Sequence, residues 1–268
     1  MERVTVEKGY LEFLRTSVPD FWRMKQALKR LDTVRLLPEF YQHIFTHYKD
    51  SHAQLFQDLF VDFVFRSKEN LKFFEFGATN GVELSNSLML ESKRGWTGLL
   101  AEPDPQWQDA LTRHRPNTSI TFDCVFSESE KVMQFLSSKV GVLSSLKAFS
   151  QEDANGPLAG NARERLSAYK EIDVKTISLN DVHEKFFNSR RIDYISVDTE
   201  GSELEILKSF DFQKYGPGVF TVEHNFTSNQ PLIDELLLAN DYVRIFAELS
   251  AFDAWYVRKD VANDRGLI

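Results

Sequence analysis

Phe73-Phe74-Glu75-Phe76-Gly77-Ala78-Thr79-Asn80-Gly81 is the stretch whose reading decides the fold. Leu71 to Phe76 is a short apolar run, the pattern of a strand buried on both faces. Gly77 and Gly81 then permit a tight turn and a close approach of backbone to a small ligand. A helical pattern from Val82 to Ser92 follows, which would aim free N–H groups at the turn. A second apolar run, Thr97 to Ala101, ends in Glu102. An acid at the tip of a second parallel strand can accept hydrogen bonds from both hydroxyls of a ribose. Strand, glycine turn, helix and acid-tipped strand form the first half of a Rossmann-like nucleoside site. An ordinary βα turn produces the same glycine spacing, and that reading stays open on this stretch alone.

The same residues narrow the ligand. The turn lacks the second glycine of the dinucleotide fingerprint G-x-G-x-x-G, and no Walker sequence occurs. Glu75, at the start of the loop, suits a cationic amine better than a pyrophosphate. S-adenosylmethionine carries an amine, a ribose and an adenine, which ranks it ahead of NAD.

The 268 residues suit one large domain with an extension. A net charge of −8 and the absence of any Lys/Arg-rich run argue against a nucleic-acid surface. Cys124 is the single cysteine, which excludes an internal disulfide or a cysteine-built zinc site and suits a reducing cytoplasm. No run approaches the roughly 20 apolar residues of a membrane span, and Met1 to Lys8 lacks the apolar core of a signal peptide. The expectation is a cytoplasmic protein without a membrane span.

Residues 1–50 read as an amphipathic helical extension, with Phe21, Trp22, Leu28, Leu31, Phe40, Tyr41 and Phe45 available for burial. Pro19 and Pro38 mark helix starts or breaks. A cap over the sheet edge is favoured there over a homodimer or partner face. Residues 51–268 form the main domain, opening with a helix from Gln54 to Arg66. Strands are expected at Leu71–Phe76, Thr97–Glu102, Ser119–Val125, Asp193–Val197 and Val219–Glu223, with helices between them. Val132–Leu136 and Ile172–Ile177 are strand-like pieces around a polar insertion at 139–171, read as a lid or substrate element. Arg163, Arg165 and Lys170 within it are candidates for an anionic substrate, or simply a solvated face. Tyr242–Ala247 and Ala254–Val257 close the chain as a hairpin. The alternation predicts an α/β fold, a mainly parallel sheet with helices on both faces.

Ligands in such sheets lie beyond the carboxyl ends of the strands, so strand tips are the residues to weigh. Asp123-Cys124 ends the third strand, where an acid could accept from an adenine amino group or simply form a turn. Asp198 and Glu200 end the fourth, and Glu223-His224-Asn225 ends the fifth. If those two strands are neighbours, the five side chains share one cleft. Asp198, Glu223 and Asn225 could then hold Mg²⁺. Alternatively, Asp198, Glu223 or His224 could serve as a general base. Structural roles as helix caps and loop partners weigh about equally against both.

Several blocks taken in order resemble the FkbM-type methyltransferases that use S-adenosylmethionine. They are Gln57-Asp58-Leu59-Phe60-Val61, Phe74-Glu75-Phe76-Gly77-Ala78 with Gly81, Ser85-Asn86 with Leu90-Glu91, and Gly95-Trp96-Thr97-Gly98 leading to Glu102-Pro103. Ile195-Ser196-Val197-Asp198-Thr199-Glu200-Gly201-Ser202-Glu203 and Val222-Glu223-His224-Asn225 complete the set. The resemblance implies a seven-stranded class I methyltransferase sheet and methyl transfer to a hydroxyl of a sugar, glycoconjugate or natural product. By position it implies Glu75, Gly77 and Gly81 along the methionine part of the cofactor, Glu102 at the ribose, Asp123 with Cys124 near the adenine, and Asp198 beside the methyl. Asn80 stands where many relatives carry Asp, and a glycine that often precedes the Gln-Asp pair is missing. A nucleoside-binding scaffold without catalysis, acting through its N-terminal helices, is the alternative.

Overall fold

The computed structural model describes residues 36–153 and 160–268. The expectations for Pro19, Phe21, Trp22, Leu28 and Leu31 therefore lie outside the described residues. Seven strands form the main sheet: β1 (Lys72–Phe76), β2 (Thr97–Ala101), β3 (Ser119–Thr121), β8 (Tyr194–Val197), β9 (Val219–Glu223), β10 (Tyr242–Ile245) and β11 (Asp253–Arg258). Their spatial order is β10-β11-β9-β8-β1-β2-β3. Strands β3, β2, β1, β8 and β9 are parallel, and β11 runs antiparallel between β9 and β10. The order reverses between β1 and β8, so these neighbours flank the topological switch point, where an open α/β sheet binds its ligand.

Near-continuous apolar runs are what a strand covered on both faces requires. Phe73, Phe74 and Phe76 are buried, as are Tyr194 to Val197 and Val219 to Val222. Helices from Leu88–Arg94, Pro105–His114, Leu179–Phe187, Glu203–Lys208 and Gln230–Ala239 cover the two faces. The helix Leu37–His47, with a proline in its first turn, packs Phe40 against Phe60, Phe246 and Trp255. Phe45 departs from its expected burial and is 48% exposed.

Two expectations for the secondary structure change. The helix read from Val82 to Ser92 begins only at Leu88. Side-chain bonds capture the backbone before it: Asn80 Oδ1 accepts from Val82 N and Glu83 N, while Glu75 accepts from Asn86 N and the Ser85 and Ser87 hydroxyls. The strand read as Ser119–Val125 divides in two. Thr121 ends β3, and β4 (Cys124–Phe126) joins a second sheet with β7 (Tyr169–Ser178), β5 (Val132–Ser138) and β6 (Ser145–Leu146), in the order β4-β7-β5-β6. The insertion thus hangs from a long antiparallel pair, β5 with β7, and adds its own helix, Asn161–Ser167.

Gly77 fixes how closely the β1 turn meets β8. Its φ is +80°, and a Cβ there would stand 2.2 Å from the Asp198 carbonyl oxygen. Gly266 shares the conformation (φ +79°) in open space. Gly266→Ala should cost about 1 kcal/mol, the ordinary penalty of a left-handed residue. Gly77→Ala should cost at least about 3 kcal/mol, at the upper end for single substitutions. Urea unfolding of both variants checks the difference.

Candidate functional site

A cavity of about 250 Å³ opens beyond the carboxyl ends of β1, β2, β8 and β9. Its walls include Glu75, Gly77, Thr79, Glu102, Cys124, Asp198, Glu200, Glu223, Asn225 and Asp253, with Val142, Leu143 and Asn161 contributed by the insertion.

Glu102 is buried at the tip of β2 and accepts from Thr79 N (2.9 Å) and Asp104 N (2.8 Å). Burial pushes its carboxyl up to about 7 against those two donors. It lines the cavity where a ribose is expected. Glu75 also reaches the wall, yet its oxygens are occupied by Ser85, Asn86 and Ser87, so its work is to shape the loop after the glycine turn. Gly81 turns away from the cavity: a Cβ there would meet Leu111 at 2.6 Å and Arg115 at 2.7 Å. Its assignment along the methionine part is therefore corrected to packing against the helix Pro105–His114. Asp123 and Cys124 separate. Cys124 is buried in the wall, while Asp123 lies outside it, partly exposed and 3.9 Å from Lys185. The chain crosses between the two sheets at this point, which turns the acid outward.

The tips of β8 and β9 are adjacent, and the acids there converge. Ligand oxygens of Asp198, Glu200 and Glu223 lie within 4.8 Å of one another. The Asp198 and Glu223 carboxyls are in hydrogen-bond contact, although neither offers a donor once ionised. Burial raises all three acids, and their mutual repulsion adds to it for Glu200 and Glu223. Arg165 is 1% exposed and donates to Glu200 Oε2 at 2.7 Å. Its other donors hold the carbonyls of Leu143, Ser150 and Glu152. The reading of Arg165 as a solvated or substrate-facing cation is thereby corrected: it joins the insertion to the acidic cluster. Glu203 accepts from the backbone and hydroxyl of Thr199 and from Gly201 N, which shapes the loop carrying Glu200. Glu200 and Asn225 both hold left-handed backbone, φ +57° and +47°, of the kind that concentrates at working sites.

His224 is not placed as a base. Nδ1 accepts from Phe226 N at 3.0 Å, which leaves Nε2 protonated and donating to the Asp253 carbonyl. Burial, then the Arg244 charge, push the imidazole down to about 4. It is a neutral brace between β9 and β11, and it lies outside the main cavity wall.

Sequence reasoning passed over Asp253. Register places it opposite Glu223, and Gln57 Nε2 donates to its Oδ2 at 2.7 Å. Burial lifts its carboxyl to about 7; the Gln57 hydrogen bond pulls it down and the Asp198 charge pushes it further up. Gln57 also accepts from Leu55 N, and Asp58 from the Ser51 hydroxyl and His52 N. The Gln-Asp pair thus folds residues 51–58 into a rim for the cavity. The antiparallel place of β11 was the available signal for Asp253.

A parallel sheet reversing at β1 and β8, an acid-tipped β2 and an antiparallel β11 define a Rossmann-like class I methyltransferase. A family model described as the methyltransferase FkbM domain matches residues 75–244, and the chain belongs to that family. It is, by that membership, an S-adenosylmethionine-dependent methyltransferase. No curated protein matches the chain. Among solved structures, a precorrin-6y C5,15-methyltransferase from Geobacter metallireducens is similar at 9% identity and a TM-score of 0.40, over 75% of this chain and 86% of that one. A TehB-like methyltransferase from Corynebacterium glutamicum has 10% identity and a TM-score of 0.39, over 83% and 97%. The ribosomal protein L11 methylase of Lactobacillus delbrueckii subsp. bulgaricus has 10% identity and a TM-score of 0.37, over 76% and 77%. No helix among the described residues is long and apolar enough to cross a membrane.

The residues present suit the cofactor the family implies. The Gly77 turn lines the cavity with bare backbone, Glu102 offers carboxylate oxygens at the wall, and Cys124 adds an apolar patch beside it. Arg165→Met should leave Glu200 buried without its partner, at a cost of about 3–5 kcal/mol. Limited proteolysis should then cut the insertion faster than the main sheet.

Proposed function

We propose that this enzyme methylates a hydroxyl of a sugar, glycoconjugate or natural product. The observation that carries the reading is a set of acids, Asp198, Glu223 and the buried Asp253, on the wall of the cavity that opens at the switch point. S-adenosylmethionine supplies a methyl group already activated on a sulfonium. What the protein must add is alignment and removal of the hydroxyl proton.

Glu102 and the Gly77 turn hold the nucleoside end. Asp198 follows directly from β8, and its carbonyl packs against Gly77, so its carboxyl is fixed relative to the cofactor turn. In its ionised form Asp198 accepts the hydroxyl proton. Burial raises its basicity, the hydrogen-bond contact with Glu223 opposes that, and the Glu203 and Glu75 charges add to it, while Gln57 and Asn225 line the same cavity. Val142 and Leu143 close the cavity from the insertion and limit water.

Transfer from a ¹³C-methyl cofactor to a panel of hydroxylated acceptors tests the reading by NMR. A product methyl carbon bonded to oxygen supports it, and one bonded to nitrogen or carbon overturns it. Asp198→Asn should keep S-adenosylhomocysteine affinity and lower kcat by roughly 10²–10⁴. The pH dependence has a definite sign. The base works only when ionised, and burial holds its carboxyl above the ordinary range. Wild-type kcat should therefore climb as pH rises from 5 towards neutrality, and initial rates across that interval check it.

A further inference from the structure

Three carboxyl groups and one guanidinium meet at the tips of β8 and β9, and their contacts do not balance. Of the three carboxyls, Arg165 pairs with that of Glu200, and its other donors go to backbone carbonyls. Glu223 Oε2 is buried with no hydrogen-bond partner among the described residues. Asn225 Oδ1 is also buried and has no partner among the described residues, on a residue only 8% exposed that lines the same cavity. Asp198 and Glu223 touch carboxyl to carboxyl. Oxygens in this arrangement need something positive between them. A buried amide oxygen left bare costs about 1–3 kcal/mol, so its persistence in the wall points to a ligand rather than to neglect.

We propose that Asp198, Glu200, Glu223 and the amide oxygen of Asn225 form the site of one divalent cation. All four are hard oxygen donors, the set that suits Mg²⁺, Mn²⁺ or Ca²⁺ and not a soft metal. Ligands on opposite sides of such an ion lie at most about 5.2 Å apart at Ca²⁺–oxygen distances and about 4.2 Å for Mg²⁺. Carboxylate oxygens within 4.8 Å of one another meet the first limit as they stand. The second needs a contraction of a few tenths of an ångström, within reach of a Glu side chain. Arg165 holds Glu200 by Oε2 and leaves its other oxygen for the cation, so the ion pair orients the ligand.

The proposal rests on the hydroxyl-methylating reading and deepens it. A hard cation with four protein ligands keeps coordination positions for water or an acceptor hydroxyl, and a hydroxyl so bound loses its proton more readily.

Mn²⁺ is the probe, followed by the electron paramagnetic resonance of the free ion as it is titrated into the full chain. One saturable site is expected. Glu223→Gln should abolish it, and Asn225→Ala should weaken it about ten-fold or more, with circular dichroism melts confirming that both variants fold. Calorimetry with Mg²⁺ should show competition for the Mn²⁺ site. Absence of saturable uptake overturns the proposal, as does uptake that both substitutions leave unchanged. S-adenosylhomocysteine titrated into the same samples separates the two readings: homocysteine-nucleoside binding without Mn²⁺ uptake removes the cation and leaves the methyltransferase.

Discussion

The contact between Gly77 and the Asp198 carbonyl is the constraint on which the site depends. Strands β1 and β8 run parallel from Phe73 with Tyr194 to Phe76 with Val197, and Gly77 and Asp198 are the residues that follow directly. Only a residue without a Cβ lets the β1 turn pass the Asp198 carbonyl, because a Cβ there would stand 2.2 Å from its oxygen. That near approach places the acid from β8 and the nucleoside-binding turn from β1 in one cavity. Gly77 N and Ala78 N then bond to the Ala101 carbonyl at the end of β2, which brings Glu102 to the same place. One steric condition thus sets the positions of three functional strand tips.

A second set of bonds closes the cavity from above. Asp104, just past β2, accepts from the Ser137 and Ser144 hydroxyls and caps the helix Pro105–His114. Arg165 ties the far side of the insertion to Glu200. The insertion is therefore anchored at both sides of the cavity, to the cofactor strand and to the acidic cluster. Because the Arg165 pair is buried, its loss would leave an uncompensated charge, and the insertion and the acids are coupled energetically.

Much of this was legible in the sequence. The apolar runs of β1, β2, β8 and β9 announce strands buried on both faces, and the helix Gln230–Ala239 falls where its periodicity puts it. Of the five side chains expected in one cleft, Asp198, Glu200, Glu223 and Asn225 line the cavity and His224 does not, and Glu102 reaches the same wall from β2. What was not legible is long-range. Val82 to Ser87 carries a helical pattern, but Glu75 withdraws its backbone and hydroxyl donors from across the turn. Ser119 to Val125 alternates equally well as one strand or as two in different sheets. Arg165 looks like any surface arginine until Glu200, 35 positions later, is seen beside it. Asp253 becomes a site residue only because β11 inserts next to β9, and His224 has both ring nitrogens occupied for the same reason.

The central claim is that the cavity at the switch point binds S-adenosylmethionine through Glu102 and the Gly77 turn. Calorimetric titration of the purified chain with S-adenosylhomocysteine tests it most directly, with Glu102→Ala alongside. One binding site per chain is expected in the wild type and no measurable binding in the variant. Wild-type protein that fails to bind, or a Glu102→Ala variant that binds with undiminished affinity, would contradict it.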